Sequence, residues 1–302
     1  MIFPKQRYQC LHCGKSCGQW RIWVEPDLVD SLRQHPLALR LQVVGQAYLL
    51  EHENGWHHLG YDEKGRCFFL EGERRCGLHA STGWLSKPRA CRQFPFFLVQ
   101  TPDGTQVGLS FRCSAVQQDV GVDWQQHQSD LEQLVNSGVY RRVGFEPVRV
   151  GGLELDWPTY LNWEADWRSQ SRPLRAIFYD HLVRHLGLGL EEPDFARLLQ
   201  NWTASALSLL QTTLRLVEVG SDFQSTRYFN HVLERKWLWL GENFLGRMLL
   251  LLVGEQLYWS ALEAGVNAFD LVEGEWLGHR EDLGPVEQGL ADTLLQFCQS
   301  LE

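Results

Sequence analysis

"YQCLHCGKSCGQWRIW", residues 8–23, sets three cysteines within eight positions and follows them with Trp20 and Trp23. Cys10 and Cys13 form a C-x2-C pair with Gly14 directly after. That spacing lets two sulfurs converge on one ion while loop amides face them, and glycine permits the tight backbone of such a knuckle. Cys17 follows closely enough to join them. Alone, the stretch fits a metal knuckle, a pair of disulfide partners or a redox thiol site, and the rest of the chain has to discriminate.

Seven of the eight cysteines lie between 10 and 113, and only Cys298 lies outside. Cys67 and Cys76 bracket "FFLEGERR", a turn-like segment able to bring both sulfurs to one end of a bend. Cys91 sits in "RACRQFP" and Cys113 in "FRCSA". The spacing departs from zinc ribbons, which want two C-x2-C pairs, and from the ferredoxin run. Seven thiols exceed one tetrahedral zinc, so an iron–sulfur cluster, or a cluster with extra thiols or a second ion, fits the count better. Four thiolates around Zn²⁺ or a [4Fe–4S]²⁺ core leave about two net negative charges, which nearby cations offset. Arg66, Arg74, Arg75, Arg89, Arg92 and Arg112 all lie within two residues of a cysteine, although arginines in such number also suit an ordinary solvated surface.

The 302 residues and 44% apolar content allow one or two domains with a proper core. Residues 1–120 carry a net charge of +3 and the remainder −12. No Lys/Arg-rich run is present, so nucleic acid is not an expected partner. "MIFPKQRYQC" has no apolar signal-peptide core, and the longest apolar run, "MLLLLV" at 248–253, falls far short of the roughly 20 residues of a membrane span. The expectation is a cytoplasmic protein with no membrane partner. In that reducing compartment clustered cysteines favour metal ligation over disulfides.

The cysteine half is rich in turn signals, with short strand-like pieces. "FPFFLVQ" and "QVGLSF" flank "TPDG" as a hairpin. One helical segment opens at Pro26 and carries apolar residues at helical spacing as far as Tyr48. After a second hairpin or bend, "VRVGGLELDW", the pattern is helical over 159–167, 173–187, 194–220, 225–265 and 285–301. These signals predict an α+β chain: a small loop-rich cysteine module over 1–120 with short strands, then a mainly α-helical domain over 121–302.

At this level the residues resemble a known family. "CLHCGKSCGQWRIWVEPD", "GRCFFLEGERRCGLHASTGWLSKPRACRQFPF" and "SFRCSAV" resemble the cysteine-cluster proteins described as zinc- or iron-chelating (YkgJ-type). They resemble more closely the flagellin lysine-N-methylase (FliB-like) branch. Its markers are Trp20 and Ile22, the C-x-L-H of Cys76 and His79, Gly83–Ser86, Phe94-Pro95 and the Ser-x-x-Cys ending at Cys113. The family often has paired cysteines where this chain has Ser16-Cys17. The resemblance implies a bound iron–sulfur cluster, with zinc as the alternative, and Cys10, Cys13, Cys17, Cys67, Cys76, Cys91 and Cys113 as the metal-ligating set. For the methylase branch it implies methyl transfer from S-adenosylmethionine to a protein lysine substrate. The competing reading is a non-catalytic metal-binding module whose helical half binds a protein partner.

No Gly-rich strand-to-helix loop of the dinucleotide-binding kind is evident, and "VGGLELDW" is more simply a turn. His181 and His185 are four apart on a predicted helix but lack a companion Glu, so structural roles are expected. His12 and His79 lie beside cluster cysteines, where either could be a ligand and a donor in the second layer is the favoured role. His52, His57 and His58 fall in an expected solvated loop, and Cys298, facing as Leu294 and Leu301 do, reads as an ordinary core thiol.

Overall fold

The computed structural model describes the chain apart from residues 3–4, 19, 53–54, 73–74, 137–141, 144–147, 151–152, 221, 241–242, 278–282 and 301–302. Arg74 therefore lies outside the described residues. The fold is α+β, with small antiparallel sheets in the N-terminal half and a mainly helical C-terminal half. Two compact units are present: Lys5–Phe97 with Ser110–Tyr140, and Met1–Pro4 with Leu98–Leu109 and Arg141–Glu302.

The first unit begins with β1 (Arg7–Tyr8), β2 (Trp23–Val24), α1 (Pro26–Arg33) and α2 (Pro36–Val43). The helical pattern opening at Pro26 thus resolves into two helices. Pro36 cannot donate to a continuing helix, and the His35 ring accepts from the Leu37 N–H at 3.2 Å to start the second one. β3 (Leu49–Glu51) and β4 (His57–Leu59) join β2 in an antiparallel sheet with β4 central. Here the structure corrects the expectation of a solvated histidine loop. His57 and His58 are strand residues, His57 is buried opposite Val24, and His58 shares a 2.6 Å hydrogen bond with His52. The hairpin pairing decides this, because alternate residues of a central strand must face inward whatever their polarity.

β5 (Leu70–Glu71) and β6 (Arg75–Cys76) form a hairpin leading into α3 (Gly77–Thr82), followed by α4 (Arg89–Gln93). Val24, Val29, Leu32, Ala38, Tyr48, Leu59, Phe69 and Leu78 make the core of this unit. The expected hairpin around "TPDG" is β7 (Phe96–Thr101) and β8 (Gly104–Leu109), whose residues from 98 onward group with the second unit. α5 (Ser114–Gln118), β9 (Val122–Asp123) and α6 (Gln128–Asn136) complete the first.

In the second unit β10 (Arg142–Val143) pairs parallel to β7, and β11 (Val148–Val150) pairs antiparallel with β12 (Leu153–Leu155), the hairpin expected from "VRVGGLELDW". The helices are α7 (Trp157–Ser169), α8 (Leu174–Leu186), α9 (Glu192–Leu209), α10 (Phe223–Glu234), α11 (Phe244–Glu263) and α12 (Gly284–Gln299), with a π-helical stretch at Asp270–Leu277 that the sequence pattern did not reveal. Two expected long helices are shorter. The third stops at Leu209, just before Gln211 at φ +51°. The fourth breaks at Lys236, φ +62°, and restarts where the Asn243 side chain accepts from the Gly246 N–H. The Lys236 ammonium, buried at this break, donates to Glu164 at 2.5 Å. His181 is buried between the Trp163 and Trp167 rings, the structural role expected of it, and the His185 side chain lies outside the described residues.

α11 is the centre of this unit. It is buried on every side along most of its length, packed by α8, α9, α12 and the π-helical stretch, and it contains "MLLLLV". Among the described residues no helix is long and apolar enough to cross a membrane. Glu255 of α11 accepts from the Leu174 and Arg175 N–H groups at the start of α8, at 2.8 and 3.0 Å, and burial pushes its carboxyl up to about 7. The folded state therefore holds this proton more tightly than the unfolded chain. Stability from this group is full below pH 4.5 and is lost as pH rises toward 7. Urea midpoints measured from pH 4.5 to 7 should show this decline in the native protein and a flatter profile in Glu255→Gln.

Candidate metal centre

All seven clustered cysteines fall in the first unit, and Cys298, half-buried in α12, falls in the second. None of the eight is in a disulfide. The seven gather by two separate constructions.

The first construction brings Cys17 to Cys67. A 3-10 turn, Lys15–Cys17, opens at Gly14 in the left-handed region. The Cys67 N–H donates to the Cys17 carbonyl at 3.3 Å. Gly18 lies against the Gly65 carbonyl so closely that any Cβ would collide with it. The partner turn is built by Asp62, whose Oδ1 accepts from the Lys64 and Arg66 N–H groups, each at 2.9 Å. Cys76 pairs across the β5–β6 hairpin with Leu70. Cys91 rides on α4, whose first N–H, that of Arg89, donates to the Glu25 carboxylate at 3.1 Å. Cys67, Cys76 and Cys91 all pack against the same apolar core.

These four thiols feel one another. Burial, then Cys76, pushes the Cys17 thiol up to about 11 against the pull of Lys87, with Cys10 and Cys13 adding. Burial pushes Cys67 up to about 12, with the Phe69 N–H opposing and Cys17 and Cys76 adding. Cys91 is raised further, by burial first, opposed by Lys87 and reinforced by Cys67, Cys17 and Cys76. All three are neutral thiols at pH 7 when no metal is bound, so an incoming ion must displace their protons.

The second construction brings Cys10 and Cys13 toward Cys113. β1 pairs antiparallel with β9, Gln6 donates to the Val116 carbonyl at 2.8 Å, and the Arg7 N–H donates to Asp119 at 3.0 Å. Gly121, at φ +115°, leaves no room for a side chain beside Gln9. The N-terminal segment is thus laid along α5, the helix that Cys113 opens. Burial raises the Cys113 thiol, the Val116 and Ala115 N–H groups oppose, and Cys10 and Cys13 add. Tyr8 is raised by burial and then by Cys10, Cys113, Cys13 and Cys17.

Trp20 ties the two constructions together. Its indole N–H donates to the Ser16 carbonyl at 2.8 Å, its ring meets Phe94 edge-on at 5.5 Å, and the Arg112 guanidinium lies 4.2 Å above it. Its carbonyl accepts from the Tyr61 hydroxyl, and Tyr61 bridges to Cys67. One side chain and its own peptide therefore touch the neighbours of Cys17, Cys67, Cys91 and Cys113. The sequence marks Trp20 only as a family signature. The cation–π contact, which would have given its physical reason, joins residues 92 positions apart and leaves no local pattern.

Of the arginines near cysteines, Arg112 stacks on Trp20, Arg92 lies 5.7 Å over Trp84, and Arg66 pairs with Asp62 at 2.8 Å. Their contacts are structural. The cation acting on the buried thiols is Lys87, which the sequence reading did not single out. The His12 and His79 rings stand 6.3 Å apart. Among the described residues no three His, Cys, Asp or Glu side chains close around one point as metal ligands do. The donor set nonetheless suits a thiophilic metal in its chemistry, because it is all sulfur and drawn from separate segments.

Trp20→Ala should lower the metal bound per chain measured by elemental analysis. Trp20→Phe, which keeps the ring faces for Arg112 and Phe94, should retain most of it.

Residues 9–119 match the model of the CxxCxxCC family, described as a "putative zinc- or iron-chelating domain". An uncharacterized protein of Methanocaldococcus jannaschii is 26% identical over 185 residues, 59% of this chain. The match spans 61% of that curated relative's length. No solved structure matches the chain. The stretch that carries all seven clustered cysteines is thus similar to the metal-chelating domain of the cysteine-cluster family, zinc and iron being the metals its description names.

Proposed function

We propose that the first unit binds an iron–sulfur cluster through Cys17, Cys67, Cys76 and Cys91. The observation that carries this reading is the gathering of those four thiols from four separate segments: Cys67, Cys76 and Cys91 pack on one apolar core, the Cys17 carbonyl accepts from the Cys67 N–H, and the thiols lie within one another's field. Four sulfurs match the ligand count of such a cluster, and Lys87 and the Phe69 N–H offset the charge it brings. Buried, sulfur-only surroundings also suit zinc, which is the alternative. Anaerobically purified protein should be brown and carry iron together with acid-labile sulfide. A colourless protein with stoichiometric zinc overturns the cluster. Cys67→Ser should lose this metal and Cys298→Ser should keep it, as elemental analysis of both variants would show.

Methyl transfer from S-adenosylmethionine to a protein lysine is the finer reading, and its support is the sequence resemblance. The residues carrying that resemblance lie in the cysteine unit: Trp20 against Phe94, Ile22 packed on the core that Cys67 also packs on, and His79 beside His12. Metal binding alone accounts for their positions, which favours the competing reading of a metal-binding module whose helical half serves a protein partner. Calorimetric titration of the metal-loaded protein with S-adenosylmethionine separates the two. Saturable binding supports the methylase, and no heat of binding leaves the module.

A further inference from the structure

One end of the helical unit presents an apolar surface that its own fold leaves exposed. The stretch 212–220, between α9 and α10, has no regular secondary structure and lies across α11. The Gln256 side chain donates to the Val217 carbonyl, and Gly220 sits on the Trp259 ring, where an added Cβ would meet it at 3.0 Å. Burial, then Asp222, pushes the Tyr258 hydroxyl up to about 12, which sets Asp222 beside the same helix. Leu262 and Glu263 follow Trp259 by three and four residues and so continue its face, with Val266 in the turn beyond. Leu216, Phe223, Leu262 and Val266 are all exposed, Phe223 by 80%.

Two further properties of this surface fit one kind of partner. Glu218, Asp222 and Glu263 stand exposed on it beside a single exposed cation, Arg215, and residues 121–302 as a whole carry −12. Charge of that sign draws basic partners and repels nucleic-acid and anionic lipid phosphates. The backbone is also open to a partner. Among the described residues, the peptide groups of 213–220 make two hydrogen bonds: the Leu214 N–H to Thr212 at 3.4 Å, and the Val217 carbonyl from Gln256. Backbone groups without partners in the chain are met by water or by the main chain of an extended segment laid beside them. We propose that the stretch 213–220, with Phe223 and the end of α11, docks an extended, lysine-bearing segment of a protein partner. Apolar side chains of that segment would pack on Phe223, Leu262 and Val266, and its ammonium groups would face Glu218 and Glu263. The inference rests on the reading above in which the helical half serves a protein partner, and it names the surface and the chemistry of what binds there.

The test uses the full-length protein as purified and fluorescent synthetic peptides of alternating Lys and Val, of Lys and Ser, and of Glu and Val. By anisotropy the Lys–Val peptide should bind saturably, and the other two at least about tenfold more weakly. Hydrogen exchange read by mass spectrometry should slow at the amides of 213–220 when it binds. Phe223→Ser, and Glu218→Lys combined with Glu263→Lys, should each weaken Lys–Val binding about tenfold or more and leave Tm unchanged, since all three side chains are exposed. Binding that neither variant weakens, or that protects amides elsewhere, overturns this surface and leaves the protein-partner reading standing. Equally tight binding of either control peptide, or no saturable binding of Lys–Val, overturns the proposal. Self-association in sedimentation velocity that Phe223→Ser abolishes gives the surface to a second copy of the chain and also overturns it. The S-adenosylmethionine titration is independent of this surface and decides the underlying reading separately.

Discussion

The cysteine unit depends on how Trp20 is held. Thiols spread over more than a hundred residues must reach one neighbourhood, yet among themselves they make no bond that could hold them there. A buried thiol is a small hydrophobe with only a weak S–H donor and makes no directional link to another thiol, so the convergence has to come from the segments that carry them. Trp20 supplies it with four different contacts: an N–H donor to Ser16, a ring edge to Phe94, a ring face to Arg112 and a carbonyl to Tyr61. Each is worth on the order of 1 kcal/mol. Their value lies in acting together, since all four constrain the same rigid indole and its peptide.

The raised thiols follow from the same arrangement. Pulling cysteines onto an apolar core removes water from their sulfurs and opposes thiolate formation, and placing several together opposes it further. Without an ion the site favours neutral sulfur; with one, the cation reverses the balance. The helical unit manages buried charge differently. Lys236 with Glu164, Arg247 with Glu287 and Arg235 with Glu273 are paired within its interior, so its ionised groups are neutralised by protein rather than by a metal.

Much of this was legible in the sequence and some was not, for identifiable reasons. The two hairpins could be read because their turns are local and chemically marked. The positions of the seven cysteines and the helical character of the later chain could be read from composition and period. The helix break at Lys236 could not, because the lysine there is buried against a partner, Glu164, 72 residues away. His57 was misjudged as exposed because its burial comes from pairing with a strand more than thirty residues earlier. The approach of Cys17 to Cys67 was hidden for the same kind of reason. Spacing puts Cys17 with Cys10 and Cys13, but the contact between Gly18 and Gly65 draws it to Cys67.

The two units also differ in when the growing chain can complete them. Every residue of the cysteine unit precedes residue 141, so the thiols and the scaffolds that gather them have all been synthesised by then. The helical unit is discontinuous, taking Met1–Pro4 and Leu98–Leu109 from the early chain, and its central helix begins only at Phe244. A helix buried on every side cannot form a core before its neighbours exist. The nascent chain therefore holds every residue of the thiol site before the helices of the second unit have been made.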